Sequence, residues 1–188
     1  MAAQPDAEFR RIWAHGTLVL LPPADVAALV DDLRARHDPR SAALIGAHIT
    51  LTQPFLAPPD AGALAGVAAV VATVPPFTIH WGPLNTFMPY PCIHFEIHPT
   101  EPVLRLRDAL HALGLFNLAL PHSGSDFIPH MTVAEGYADA VDTQRLFDAL
   151  RDGAPSGLFT CTTVIYSCPD ADFRFQPRAS FALGGSPA

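Results

Sequence analysis

The stretches "HITL" (48–51) and "HMTV" (130–133) are one four-residue phrase written twice, 82 positions apart. Each is a histidine, an apolar residue, a threonine and a second apolar residue. In a strand, residues i and i+2 share a face. His48 and Thr50 therefore point one way, and Ile49 and Leu51 the other. His130 and Thr132 separate from Met131 and Val133 in the same manner. The apolar pairs fit beneath helices, which leaves each His/Thr pair facing a cleft.

The surroundings of the phrase repeat as well. Residues 14–21 read as a Leu/Val-rich strand. Pro22 and Pro23 then open a helix over 24–37, with Val26, Leu29, Val30 and Leu33 on one face and Asp31 and Asp32 off it. The first phrase lies in a strand over 47–53. An Ala/Val-rich helix follows over 60–73, then strands over 77–87 and 92–98 around the turn "MPYP". A helix over 100–113 follows, with Thr100 as its cap and Pro102 in its first turn. Next come a Gly/Ser/Pro loop (114–128), the second phrase, a helix over 139–151, and strands over 158–167 and 173–183.

The element order thus repeats, which is an internal duplication. Residues 18–33 lie over 95–110 at an offset of 77, and "FT" at 77–78 meets "FT" at 159–160 at an offset of 82. The expected architecture is α+β: one bilobal domain over 1–188, with pseudo-repeats at about 14–98 and 92–183. Two antiparallel sheets surround a central cleft, with helices outside. A pseudo-twofold axis would bring His48 and His130 together across that cleft.

Composition limits what the cleft serves. Of 188 residues, 49% are hydrophobic and 15% charged, enough to bury a sizeable core. No apolar run reaches the ~18 residues of a membrane helix, and the first residues carry no basic-then-apolar leader. Cys92, Cys161 and Cys168 form no zinc pattern and read as reduced, small apolar residues, which suits the cytoplasm. The net charge is −7, and all eleven basic residues are arginine. A protein that tracks long nucleic acid presents a basic surface. This one suits a small phosphate ligand or an RNA end, with no extended nucleic-acid surface and no membrane partner. A monomer is expected.

Two imidazoles and two hydroxyls around one spot suit phosphodiester cleavage. One histidine activates the attacking oxygen and the other protonates the leaving one. Threonine hydroxyls donate to the non-bridging oxygens, where negative charge is stabilised. No metal and no cofactor is required, and the chain lacks a carboxylate-rich constellation of the two-metal kind. Paired H-x-T-x motifs about eighty residues apart in a duplicated α+β chain resemble the 2H phosphoesterase superfamily, nearest to its LigT-like, bacterial 2′-5′ RNA ligase branch. The resemblance covers the chain from the first strand to about Phe181. It implies metal-independent hydrolysis of 2′,3′-cyclic phosphates, or chemistry on 2′-5′ linkages, in nucleotides or RNA ends. His48 and His130 take the place of the catalytic histidines, and Thr50 and Thr132 that of the phosphate-binding threonines. Related RNA-processing proteins often carry a basic residue soon after the second motif; "HMTVAEG" has Ala134 and Glu135 there. A nucleotide-binding module without turnover is the alternative of a different class.

Other residues are candidates for the lining. His94 and Glu96 alternate against Ile93, Phe95 and Ile97, so they either face the cleft or form a solvated strand face. Thr17 is the counterpart of His94 at the 77-residue offset. Arg174 and Arg178 alternate with phenylalanines in the last strand and either supply charge for phosphate or lie on a solvated edge. Tyr90 and Phe127, with Phe87 and Tyr166, sit near strand ends or loops where a base could stack. His122 lies in a loop that either forms a flap over the cleft or is simply exposed.

Overall fold

The computed structural model describes residues 6–135 and 139–184. Gly136 of "HMTVAEG" and both ends of the expected 1–188 domain lie outside them. The chain runs α1 (Ala7–Trp13), β1 (Thr17–Leu20), α2 (Ala24–His37), α3 (Pro39–Ala42), β2 (Ile49–Thr50), α4 (Ala61–Ala72), β3 (Phe77–Thr86), β4 (Cys92–His98) and α5 (Glu101–His111). It continues as β5 (His130–Glu135), α6 (Ala140–Leu150), a 3₁₀ turn (Arg151–Gly153), β6 (Gly157–Cys161), β7 (Thr163–Pro169) and β8 (Phe175–Ala182).

Two four-stranded sheets result, ordered β2-β1-β7-β8 and β5-β4-β3-β6. Every pairing is antiparallel. The fold is α+β, as expected, but the sheets do not divide at the midpoint of the chain. The expected strand over 158–167 is two strands, broken at Thr162. Its first part, β6, completes the second sheet, and its second part, β7, crosses into the first. The "FT" pairs consequently become neighbours: Thr78 pairs with Thr160, their hydroxyls 2.9 Å apart.

The registers carry the sequence echo. Leu18 pairs with Tyr166, and Phe95 with Leu84. Thr17 pairs with Ser167, and His94 with Asn85. These two sets are related by offsets of 77 on one strand and 82 on the other. The motif strands depart from the echo: Val19 pairs with Thr50, whereas Glu96 pairs with His130, a slip of two residues.

Strand parity holds at both phrases. Ile49, Leu51, Met131 and Val133 are fully buried in one core cluster with Leu18, Leu20 and Phe95 of the strands and Val103 and Leu106 of α5. Removing these apolar faces from water stabilises the motif strands by ~25 cal/mol for each Å² buried. On α2 the buried stripe is Val26–Val30–Arg34, at i, i+4 and i+8, and Leu29 of the expected apolar face is exposed. Thr100 does not cap α5. Its backbone is already helical and its side chain makes no capping bond, while Pro102 occupies the first turn as expected. Asp139 and Asp60 do cap α6 and α4, accepting from Asp142 N and Ala63 N.

Candidate active site

The edge strands β2 and β5 meet where the two sheets adjoin, and between them opens a cleft of about 980 Å³. His48, Thr50, His130 and Thr132 all line it and are half-buried. The His48 Nδ1 lies 2.8 Å from the Gly46 carbonyl oxygen, and the His130 Nδ1 lies 2.7 Å from that of Ile128. A carbonyl only accepts, so Nδ1–H is the donor in both rings. In each neutral imidazole the free lone pair is then on Nε2. The same device, a bond to the carbonyl two residues back, fixes both rings. Asp31 steadies the approach to His48 by accepting from Ala47 N at 2.7 Å.

Behind His130 stand His94 and Phe87. Phe87 stacks on His94 at 3.9 Å and meets the His130 ring nearly at right angles at 4.9 Å. The centroids of His94 and His130 are 5.3 Å apart. His94 is therefore buried packing for His130 and not part of the cleft wall. Glu96 does not reach the cleft either. One of its oxygens accepts from Asn85 Nδ2 and the other lies 3.1 Å from His98 Nε2. His94 and Glu96 pair with Thr132 and His130, so parity does put them on the motif's face. Phe87 covers the one, and the other turns away along the sheet. Thr17 does line the cleft, with its hydroxyl donated to the Thr52 carbonyl at 2.7 Å.

The positive charge comes from arginines that the motifs do not mark, two of them buried. Arg34 and Arg107, each 2% exposed, both line the cleft. Arg34 donates from Nη1 to the Thr132 carbonyl and from Nη2 to that of Ile45, at 2.7 and 3.0 Å. Arg107 donates from Nη1 to the Leu51 carbonyl and from Nη2 to that of His122, at 2.9 and 2.7 Å. Each helix thus sends an arginine to the motif strand of the opposite half. In both, Nε has no hydrogen-bond partner among the described residues. A signal was available: each arginine sits four residues after a buried valine, in the apolar stripe of its helix, where a charge is rare unless paired. Of the two readings of Arg174 and Arg178, the solvated edge holds: they do not line the cleft and are exposed. Alternation gives a residue's face but not its strand's place, and β8 is the outer strand of its sheet, three places from β2.

Among the aromatic candidates, Phe87, Tyr90 and Phe127 line the cleft. The Tyr90 hydroxyl donates to Glu135 at 2.6 Å, and the Arg107 guanidinium lies 3.8 Å over the Phe127 ring. Tyr166 is buried, its hydroxyl donating to the His15 carbonyl. The loop with His122 is tied down by Arg107 and by Gln53, whose Nε2 donates to the Pro121 carbonyl at 2.9 Å.

Burial holds the imidazoles neutral. His48 is pushed down to about 4, chiefly by desolvation and then by the charge of Arg34, against the Gly46 bond that raises it. His130 is lowered by desolvation too, but the Ile128 bond and the Glu135 charge act upward. His94 and His111 are both pushed down to about 4 by burial. The unfolded chain takes up protons at these sites near pH 6.5, before the folded chain does. Stability from His94 and His111 is therefore complete above about pH 6.5 and is lost as pH falls toward 4. The expected loss is on the order of 3 kcal/mol for each. Urea unfolding midpoints at about pH 7 and pH 4.5 check it: a constant midpoint would show that these rings are already protonated in the fold.

No three His, Cys, Asp or Glu side chains group as a metal site among the described residues. No described helix is long and apolar enough to cross a membrane.

Two four-stranded antiparallel sheets with helices, and a cleft lined by His48, Thr50, His130 and Thr132, define the chain as an α+β protein of this architecture. The chain matches the family described as the 2′-5′ RNA ligase superfamily over residues 22–166, and it belongs to that superfamily of phosphoesterases and RNA ligases. It is 29% identical over 126 residues to a Bacillus cereus (strain B4264) protein named "Putative phosphoesterase", covering 65% of this chain and 70% of that one. A Bacillus cytotoxicus relative of the same name is 30% identical over 128 residues, with the same coverage. Among solved structures, LigT of E. coli without ligand superposes with a TM-score of 0.58 at 19% identity, covering 89% of this chain and 96% of LigT. TT0787 of Thermus thermophilus gives 0.59 at 17% identity, covering 91% and 98%. LigT has also been crystallised with 3′-AMP, with ATP and with NADP+.

Proposed function

We propose that the chain is a metal-independent phosphodiesterase that opens the 2′,3′-cyclic phosphate of a nucleotide or RNA end, working as a cytoplasmic monomer. We take it as one bilobal domain of two pseudo-repeats, about 14–98 and 92–183. The observation that carries the reading is the pair of Nε2 atoms: both Nδ1 positions are held by carbonyls, and both rings line one cleft.

Water attacks phosphorus as one histidine takes its proton. The bond from phosphorus to one ribose oxygen breaks, and the other histidine gives that oxygen a proton. The product is a nucleoside monophosphate. Thr50 and Thr132 donate to the non-bridging oxygens. The charges assign the roles. Arg34 acts to keep His48 neutral, which suits the base, while Glu135 favours protonation of His130, which suits the acid. Ligation of a 2′-5′ bond is the related displacement with a ribose hydroxyl as the attacker. Glu135, acidic and lining the cleft with His130, supports a small substrate over an RNA duplex end.

The test is hydrolysis of the four 2′,3′-cyclic mononucleotides in the presence of EDTA. Turnover is expected to follow a bell in kcat/KM, since one ring must be neutral and the other protonated. Its maximum should lie between about pH 4, set by His48, and 6.5, below which His130 is lowered. A profile still climbing above about pH 8 would contradict the assignment. Nucleotide binding without turnover would favour the binding module.

A further inference from the structure

The cleft extends beyond the histidines to a rim made by α1 and the β7–β8 hairpin. Phe9, Trp13 and Phe175 line it there. Trp13 and Phe175 meet edge to face at 6.5 Å, and Phe9 lies 5.9 Å from Trp13 and 6.0 Å from the buried Phe173. The Phe175 backbone N–H donates to the Leu44 carbonyl at 2.7 Å, which ties the hairpin to the segment after α3. Arg40 of α3 also lines the cleft, half-buried, with no hydrogen-bond or ion-pair partner among the described residues.

Three features set this rim apart from the rest of the lining. Phe87, Phe127 and Tyr90 are engaged with His94, Arg107 and Glu135, whereas Phe9, Trp13 and Phe175 contact rings of their own cluster and the adjoining hairpin. Helix α1 has no buried residue, and Phe9 is 39% exposed, so core packing does not account for its aromatic pair. Phe9, Trp13 and Phe175 also lie outside residues 22–166, the stretch that matches the superfamily by sequence. They add to the cleft a surface that the shared motifs do not supply.

We propose that Phe9, Trp13 and Phe175 form a stacking subsite for a nucleobase, with Arg40 beside it as a cation for the nucleotide's polar groups. This subsite rests on the phosphodiesterase reading: the base lies on the α1 rim while the phosphate lies between His48 and His130. Every base has a π-face, so stacking binds tightly with little sequence preference. Guanidinium groups add both cation–π and phosphate contacts.

The two tryptophans make the test direct. Trp81 is 2% exposed in the core, so Trp81→Phe leaves Trp13 as the sole indole. Titration of that variant with 3′-AMP is expected to change Trp13 emission, and titration with inorganic phosphate is not. By calorimetry, Trp13→Ala and Phe175→Ala in the otherwise unaltered chain should weaken 3′-AMP about tenfold. They should leave phosphate affinity and kcat unchanged while raising KM for the cyclic nucleotide. If both variants bind 3′-AMP as tightly as the unaltered chain, or saturation leaves Trp13 emission unmoved, the subsite is wrong and the histidine reading stands. If the unaltered chain neither binds 3′-AMP nor turns over any cyclic nucleotide, both fall together.

Discussion

His48→Ala and His130→Ala should each lower turnover of a 2′,3′-cyclic nucleotide by about 10²–10⁴-fold, the usual worth of a positioned acid or base. The substitutions remove different steps and should differ in their pH dependence. Without His48 no group takes the proton from water, and the acid limb near about pH 4 should vanish. Without His130 the ribose oxygen leaves unprotonated, and the alkaline limb should vanish. Both rings are half-buried, and among the described residues each is hydrogen-bonded to one nearby carbonyl, so neither change should unfold the chain. Steady-state rates across roughly pH 4–9, with circular dichroism as the folding control, measure both effects. Unchanged turnover in both variants would sink the acid–base mechanism.

Arg34→Met should cost on the order of 3 kcal/mol of stability, the range found when one member of a buried charged network is removed. Methionine keeps much of the apolar stem but leaves the Thr132 and Ile45 carbonyls without their donor. It also removes the cation that lies 3.9 Å from Asp31 and feels the charge of Asp38, which is 1% exposed and accepts from the backbone of Ser41 and Glu135. In a chain of this length the melting temperature should fall by about 6–12 °C. The charge of Arg34 also holds His48 down, so the acid limb of kcat/KM should move to higher pH. Arg34→Lys keeps the charge but not the two-pronged geometry, so it should restore the pH profile better than the stability. A melting temperature unchanged in Arg34→Met would show that its two carbonyl bonds are replaced by water.

Much of the site was legible because strand parity is local. The alternation in "HITL" and "HMTV" assigns two apolar residues to the core and a histidine and threonine to the open side, whatever the sheet around them. The bounds of α2 and β4 follow in the same way from helical spacing and from the run "CIHFEIH". Helix α1 was not legible: seven residues hold too little periodicity, and its ring contacts come from a hairpin some 160 residues away.

The side chains proposed to carry the chemistry can thus be named from the chain alone, since the repeated phrase and its parity need nothing beyond neighbouring residues. What surrounds them is a product of the fold. The break at Thr162 sends one strand to each sheet. Arg34 and Arg107 reach across to the opposite motif strands, and Arg174 and Arg178 are left on an outer edge. Those outcomes depend on which strands pair and which helix crosses them. The arginine contacts join residues some 60 to 100 positions apart, and no local spacing encodes them.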